Sequence, residues 1–296
     1  MADMEGTIES KQFHTDVPAP KTSTNIKGAG GYDWGMHSRL AQIFDPADGR
    51  TVMLAFDHGY FQGPTSGLER VDLNVVPLAP HADALMCTRG MVRTIIPPNV
   101  RKPIVVRASG GPSILKDLSN ERIAMDMADA ARINATAVAV QVFIGSDDFE
   151  TQSVHNMTQL VDAGIEYGIP TMGVTAVGRD LVRDARYLGL ACRIIGELGA
   201  QMVKTYYCDE DFANVTAASP IPVIVAGGKK VPVLDALEMA HRSINEGAAG
   251  VDMGRNIFQR QHPEAMIQAV RAVVHNDASP ADAETMYRDL SGGLED

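Results

Sequence analysis

Little in this sequence favours covalent bracing, nucleic-acid binding or membrane insertion. Its three cysteines, Cys87, Cys192 and Cys208, are spread over 296 residues. They are too few for a disulfide framework and lack the paired spacing of metal ligands, so a reducing cytoplasm and no metal are expected. Basic residues are in the minority, 26 Lys and Arg against 37 Asp and Glu, for a formal net charge of -11. A general binder of nucleic acid or of anionic membrane needs a basic surface, and both classes are set aside. Any anionic ligand must instead meet a local cluster of positive groups. No run approaches the roughly 20 apolar residues that cross a bilayer. Met1 to Lys27 mixes acids with bases and lacks the apolar stretch of a signal peptide.

What is present is a series of short apolar runs. Val52-Phe56, Ala84-Cys87, Ile104-Arg107, Ala137-Phe143, Thr171-Val177, Gln201-Tyr207, Pro222-Ala226 and Gly250-Met253 are mostly rich in Val, Ile or Ala rather than strictly alternating, as suits parallel strands covered by helices. Amphipathic stretches lie between them: Ile123-Ile133, Thr151-Tyr167, Asp180-Leu198, Leu234-Glu246 and Pro263-His275. The repeat is roughly thirty residues, one βα unit. Eight units in series predict an α/β fold of the (β/α)8 TIM-barrel type over residues 51–275. Residues 1–50 are expected to form an N-terminal arm and a short helix, Trp34 to Phe44, and residues 276–296 a C-terminal tail. The rival is a doubly wound open sheet. That fold ordinarily carries a Gly-rich phosphate turn after its first strand, and Asp57-His58-Gly59-Tyr60 is not one.

Barrel enzymes build their sites at the C-terminal ends of the strands, and polar residues gather there. Lys204 stands inside the apolar run Gln201-Tyr207, where an ammonium is costly to bury. It reads either as a nucleophilic amine or as a core lysine held by an ion pair. For the first role, desolvation and a nearby ammonium at Lys229 would lower its pKa, and truncating it should leave no buried charge. Gly227-Gly228 and Gly254-Arg255, at the ends of two consecutive strands, allow backbone N–H groups to approach a phosphate. Lys229 and Arg255 would add positive charge, Arg255 through a forked contact. Asp57 and His58 suit holding a hydroxyl or moving a proton near neutral pH, or else a stabilised turn. Cys208 has no partner histidine in a recognisable arrangement and is left out.

The wording Leu54-Ala55-Phe56-Asp57-His58-Gly59, Val203-Lys204-Thr205-Tyr206, Ala226-Gly227-Gly228-Lys229 and Met253-Gly254-Arg255-Asn256 resembles the archaeal-type class I fructose-bisphosphate aldolase family, over almost the whole chain. The resemblance implies a (β/α)8 fold and Lys204 as a Schiff-base lysine. It also implies Asp57 as a group that orients substrate or handles a proton, and the two glycine turns with Arg255 as phosphate ligands. The chain resembles more closely a branch that acts in autoinducer-2 breakdown. That branch transfers acetyl from a phosphorylated dione to coenzyme A as co-substrate, without a bound cofactor, and assembles as a decameric ring-like homo-oligomer. One departure matters: sugar-cleaving relatives carry aromatic residues, including a proton-handling tyrosine, at the end of strand five, where this chain reads Val174-Thr175-Ala176-Val177. Three functions therefore stay open: the acyl transferase, an aldolase on a phosphorylated sugar, and a non-catalytic sensor of a phosphorylated ligand.

Overall fold

In a strand, successive side chains point to opposite faces, so a strand covered on both sides must be apolar at every position. The eight runs satisfy this over most of their length and close on themselves. The computed structural model describes residues 26–293 apart from 117, 147 and 178–182. Its barrel strands are β1 (Thr51–Ala55), β2 (Ala84–Thr88), β3 (Ile104–Arg107), β4 (Ala137–Ile144), β5 (Thr171–Val177), β6 (Met202–Thr205), β7 (Val223–Ala226) and β8 (Gly250–Met253). Each lies parallel to its sequence neighbours, and β8 returns to β1 with Thr51 opposite Gly250 and Leu54 opposite Met253. An open sheet would leave two edges, and this one has none.

Each strand feeds two cores. Val52, Leu54, Val203, Val225 and Val251 face outward into the layer beneath the helices. Met53, Ala84, Val105, Ala137, Met172 and Met202 face inward, in one cluster with Met36, Leu40, Ile43 and Phe44. Those last four come from the helix Trp34–Ile43 and its C-cap, which close the floor of the barrel. The helix starts at Asp33, whose carboxylate accepts the Met36 N–H at 2.8 Å, satisfying one of the orphan donors of the first turn. Leu40, Ile43 and Phe44 are buried, each stabilising the floor by about 1.5–3 kcal/mol. With one end sealed by apolar side chains, polar chemistry is left to the other.

The covering helices Glu150–Tyr167, Val233–Asn245 and Pro263–Asn276 match the sequence expectation closely. The one expected over Asp180-Leu198 runs Ala185–Glu197, capped by Asp184 at the Tyr187 N–H, and residues 180–182 lie outside the described residues. The stretch Ile123-Ile133 divides in two. Arg122–Ile123 pairs antiparallel with Ser109–Gly110, the Ala124 and Met125 N–H groups both donate to the Ala108 carbonyl, and the helix Met127–Arg132 begins only at the Asp126 cap. The segment expected as a tail also departs from expectation. Ser279 caps a helix, Pro280–Leu290, that buries Ala283 and Tyr287 against the preceding helices.

At the floor, His275 ties three elements together. Its Nδ1 lies 2.7 Å from Asp48 and its Nε2 2.8 Å from Asp83, and Asp83 also accepts the Val52 N–H at 2.7 Å. A ring can donate to two carboxylates only as imidazolium. Burial works against that charge, but hydrogen bonds to Asp83 and Asp48 outweigh it, and the His275 pKa is raised. The resulting stability is complete below the ordinary histidine value of about 6.5 and is lost as pH rises through the higher folded-state value. In urea titrations the parent should exceed His275→Asn by roughly 1.5–3 kcal/mol at pH 6, with the gap narrowing toward pH 9. A gap that widens with pH would refute the charged ring.

Candidate active site

Above the apolar layers the inward positions turn polar: Arg107 on β3, Gln141 on β4, Lys204 on β6 and Asp252 on β8. They line an open cavity of about 310 Å³ at the C-terminal mouth of the barrel. Asp57, His58, Gly227, Gly228, Gly254 and Arg255 border the same cavity. Lys229 does not. It is exposed and faces an adjoining groove beside Arg183, Tyr207 and Arg242.

Lys204 points inward because it shares strand parity with Met202, two residues earlier in the floor cluster. Its Nζ lies 2.6 Å from Asp252 Oδ2 and 3.4 Å from Met86 Sδ. The lysine side chain is 11% exposed and that of Asp252 is fully buried. Neither carboxylate oxygen of Asp252 accepts a well-oriented hydrogen bond, so the contact is a short ion pair. Burial pulls the Lys204 pKa down, but the charges of Asp252 and then Asp57 outweigh it, and the amine is held above its ordinary value. The expected depression by Lys229 is therefore not found, because the charges acting on this amine are carboxylates. Both readings of Lys204 hold at once: it is ion-paired, and it is on the cavity wall. Truncating it would strand the Asp252 charge, contrary to expectation.

Asp57 belongs to a second buried network. Arg107 donates to Asp57 Oδ2 at 2.8 Å and to Glu121 Oε1 at 2.5 Å. Glu121 also accepts from Ser109 Oγ at 2.6 Å and from the Tyr60 hydroxyl at 2.7 Å. The Arg107 guanidinium carbon sits 5.0 Å from the Tyr60 ring centre. Burial alone would raise the Asp57 carboxyl, but Arg107 and Lys204 hold it below the usual carboxylate range. His58 differs from its neighbour. Its ring stacks on Phe258 with centres 5.9 Å apart, and its buried Nε2 has no hydrogen-bond partner among the described residues. Burial, with the positive charges of Arg255, Lys204 and Arg107, overrides the attraction of Asp57 and pushes it down to about 4. At neutral pH it is an uncharged imidazole, not a group poised to titrate there.

The two glycine turns divide their tasks. The Gly227 N–H donates to the Asp252 carbonyl at 3.1 Å, and a Cβ there would lie 2.9 Å from Met253 Cγ, so Gly227 is consumed by packing. Gly228 has φ +67°, and a Cβ on it would meet nothing within 4 Å; it borders open cavity. A Cβ on Gly254 would sit 2.2 Å from the Ala55 carbonyl oxygen, which explains the glycine there by the close approach of β1. Asn256 braces the pair, donating to the Gly227 and Lys229 carbonyls at 2.5 and 3.0 Å and accepting the Val231 N–H at 3.0 Å. Arg255 is half-buried and, among the described residues, forms no ion pair. Of the three cations that line the cavity among the described residues, Arg107 and Lys204 are matched by carboxylates and Arg255 is not.

This architecture has known counterparts. Residues 51–260 match the family described as DeoC/LacD family aldolase. The chain belongs to that family. A protein of Escherichia coli O139:H28 (strain E24377A / ETEC) named 3-hydroxy-5-phosphonooxypentane-2,4-dione thiolase is 56% identical over 287 residues, covering 97% of this chain and 98% of its own length. A protein of Photorhabdus laumondii subsp. laumondii with the same name is 55% identical over 287 residues, with the same two coverages. The crystal structure of an archaeal fructose 1,6-bisphosphate aldolase superposes with a TM-score of 0.74 at 22% identity, over 81% of this chain and 99% of its own, a likeness of fold. This DeoC/LacD family member is thus an enzyme on a class I aldolase scaffold.

Sequence reasoning placed Lys204, Asp57, His58, Arg255 and the glycines at the cavity of this aldolase-family enzyme, and missed Asp252 and Glu121. Asp252 carried a usable signal, an acid inside the apolar run Val251-Met253. Glu121 carried none, since it reaches the site from the loop after β3. The burial of His58 gives a direct check. Its ring should titrate near 4 in nitrogen-detected NMR, and a midpoint near 6.5 would contradict the site described. Between those two values the unfolded chain takes up a proton at this residue and the folded one does not, so its contribution to stability falls as pH falls through the window.

Proposed function

We propose that this enzyme is the thiolase of its named relatives, cleaving a phosphorylated dione with coenzyme A to acetyl-CoA and dihydroxyacetone phosphate. The observation that carries the reading is the pairing, across one cavity, of a wall lysine with a lone uncompensated cation at a glycine rim. In this reading Arg255 and the Gly228 turn hold the phosphate, which sets the adjacent carbonyl against Lys204. Imine formation turns that carbon into an electron sink. The coenzyme A thiolate adds to the distal acetyl carbonyl, and the carbon–carbon bond breaks with its electrons entering the iminium. Acetyl-CoA departs, and an enamine stays on Lys204. Protonation of the enamine carbon and hydrolysis release dihydroxyacetone phosphate. Asp57, held by Arg107, orients the substrate hydroxyl, and His58 presents a neutral wall beside it. Lys229, outside the cavity, is better placed to meet coenzyme A than the substrate phosphate. The enzyme takes coenzyme A as co-substrate with no bound cofactor, and works in the cytoplasm as a ring of copies, a state that sedimentation velocity would read directly.

Two measurements test this reading. Purified protein should turn over the phosphorylated dione only when coenzyme A is present. Thiol-independent sugar cleavage would replace the reading with an aldolase, and binding without turnover would replace it with a sensor. Lys204→Gln, which keeps a donor beside Asp252, should abolish turnover with the fold intact. Arg255→Ala should weaken binding of the phosphorylated ligand by roughly 1.5–3 kcal/mol through loss of a charge-assisted contact. Equal affinities by calorimetry would remove Arg255 from the phosphate site.

A further inference from the structure

An ammonium cannot attack a carbonyl, and Lys204 is held in that form. Something at the site must take its proton and later return one to oxygen. Among the described residues, the cavity wall on β5 offers Val174, Thr175 and Ala176, and the Thr175 hydroxyl already donates to that of Thr205 at 2.9 Å. His58 is stacked on Phe258, Asp57 is committed to Arg107, and Glu121 accepts from Arg107, Ser109 and Tyr60. Among the described cavity carboxylates, Asp252 differs. It is fully buried, its Oδ2 lies 2.6 Å from Lys204 Nζ, and it has no other side-chain partner.

We propose that Asp252 is a catalytic acid–base, carrying the proton between the Lys204 nitrogen and the substrate carbonyl oxygen as the imine forms and is hydrolysed. The proposal rests on Lys204 being the imine-forming lysine. In the first step a proton passes from the ammonium to Oδ2, leaving a neutral amine beside a neutral carboxyl. The amine then forms the carbon–nitrogen bond. The former carbonyl oxygen collects one proton from nitrogen and one from Asp252 and leaves as water, so that an iminium and a carboxylate remain. Hydrolysis runs the same transfers backwards. The pair begins and ends as a matched cation and anion, so no net charge is created in the barrel interior. Burial pushes Asp252 up to about 6, against the lowering effect of Lys204 and with a further push from Asp57. A carboxyl in that range can both give and take a proton near neutral pH.

The test uses dihydroxyacetone phosphate without coenzyme A, with borohydride quenching at timed intervals and mass detection of the Lys204 peptide. The parent should be labelled, and Asp252→Asn should be labelled about 10²–10⁴-fold more slowly with unchanged circular dichroism. Asp252→Glu should fall between the two. A carboxylate that served only as counter-ion predicts the opposite sign, because its removal frees the amine of its proton and labelling at neutral pH becomes as fast or faster; that result overturns the proposal while leaving Lys204 in place. An unlabelled parent overturns the Lys204 reading and this one together. Should the asparagine variant not fold, the glutamate variant decides alone: slower labelling with a displaced pH profile supports the proposal, and a rate and profile equal to the parent's reject it.

Discussion

Closure of the sheet fixes this molecule. Once β8 pairs with β1, every second residue of every strand faces the barrel interior, and each one buried there must be either apolar or neutralised. Met53, Ala84, Val105 and Met202 meet the first condition, and Arg107, Lys204 and Asp252 meet the second. The switch from one to the other occurs within two residues along a strand, from Met202 to Lys204. The same step separates a sealed floor from an open mouth.

The two deepest cations at that mouth are both paired with carboxylates. Arg107 lies between Asp57 and Glu121, and Lys204 lies against Asp252, so the two deepest cations cost far less than an isolated buried charge would. A pair this deep stabilises the fold weakly at best. Its consequence is chemical: the proton shared between Lys204 and Asp252 does not need to be supplied from solvent. Arg255 forms no ion pair among the described residues, and so a chain of strongly negative net charge still presents a positive point at this rim. His58 completes the arrangement by remaining uncharged, since burial first, and then the positive charges of Arg255, Lys204 and Arg107, disfavour its imidazolium.

The two ends of the barrel are stabilised by different means. At the floor, Phe44 and its neighbours exclude water, and His275 between Asp48 and Asp83 joins the last barrel helix to the starts of β1 and β2. At the mouth, the fixed elements are glycines and one asparagine: Gly254 lets β1 come close, and Asn256 holds the Gly227 turn in place from β8. Asn256, which is not part of the cavity lining, thus supports a turn that is, and this keeps the rim rigid without filling the site.

How much of this was legible before any coordinates depended on the distance over which each feature is encoded. Strand number, helix placement and the barrel itself follow from periodicities of a few residues, and the strand ends mark the mouth, so Lys204, Asp57, Gly228 and Arg255 could be selected from the sequence. The helix Trp34 to Phe44 was likewise expected from the sequence, but its Asp33 cap and its place at the floor of the barrel were seen only in the structure. What the sequence could not determine was which charge meets which. Lys204 and Lys229 are both near strand ends, yet one turns inward and the other out. Asp252, 48 positions along the chain from Lys204, comes to 2.6 Å from it only because β6 and β8 flank β7 in the sheet and turn both side chains into one interior. The direction of the Lys204 pKa, the neutrality of His58 and the entry of Glu121 from a loop were likewise decided by tertiary contact. A pKa depends on groups within a few ångströms, and distance in space is what a linear pattern does not carry.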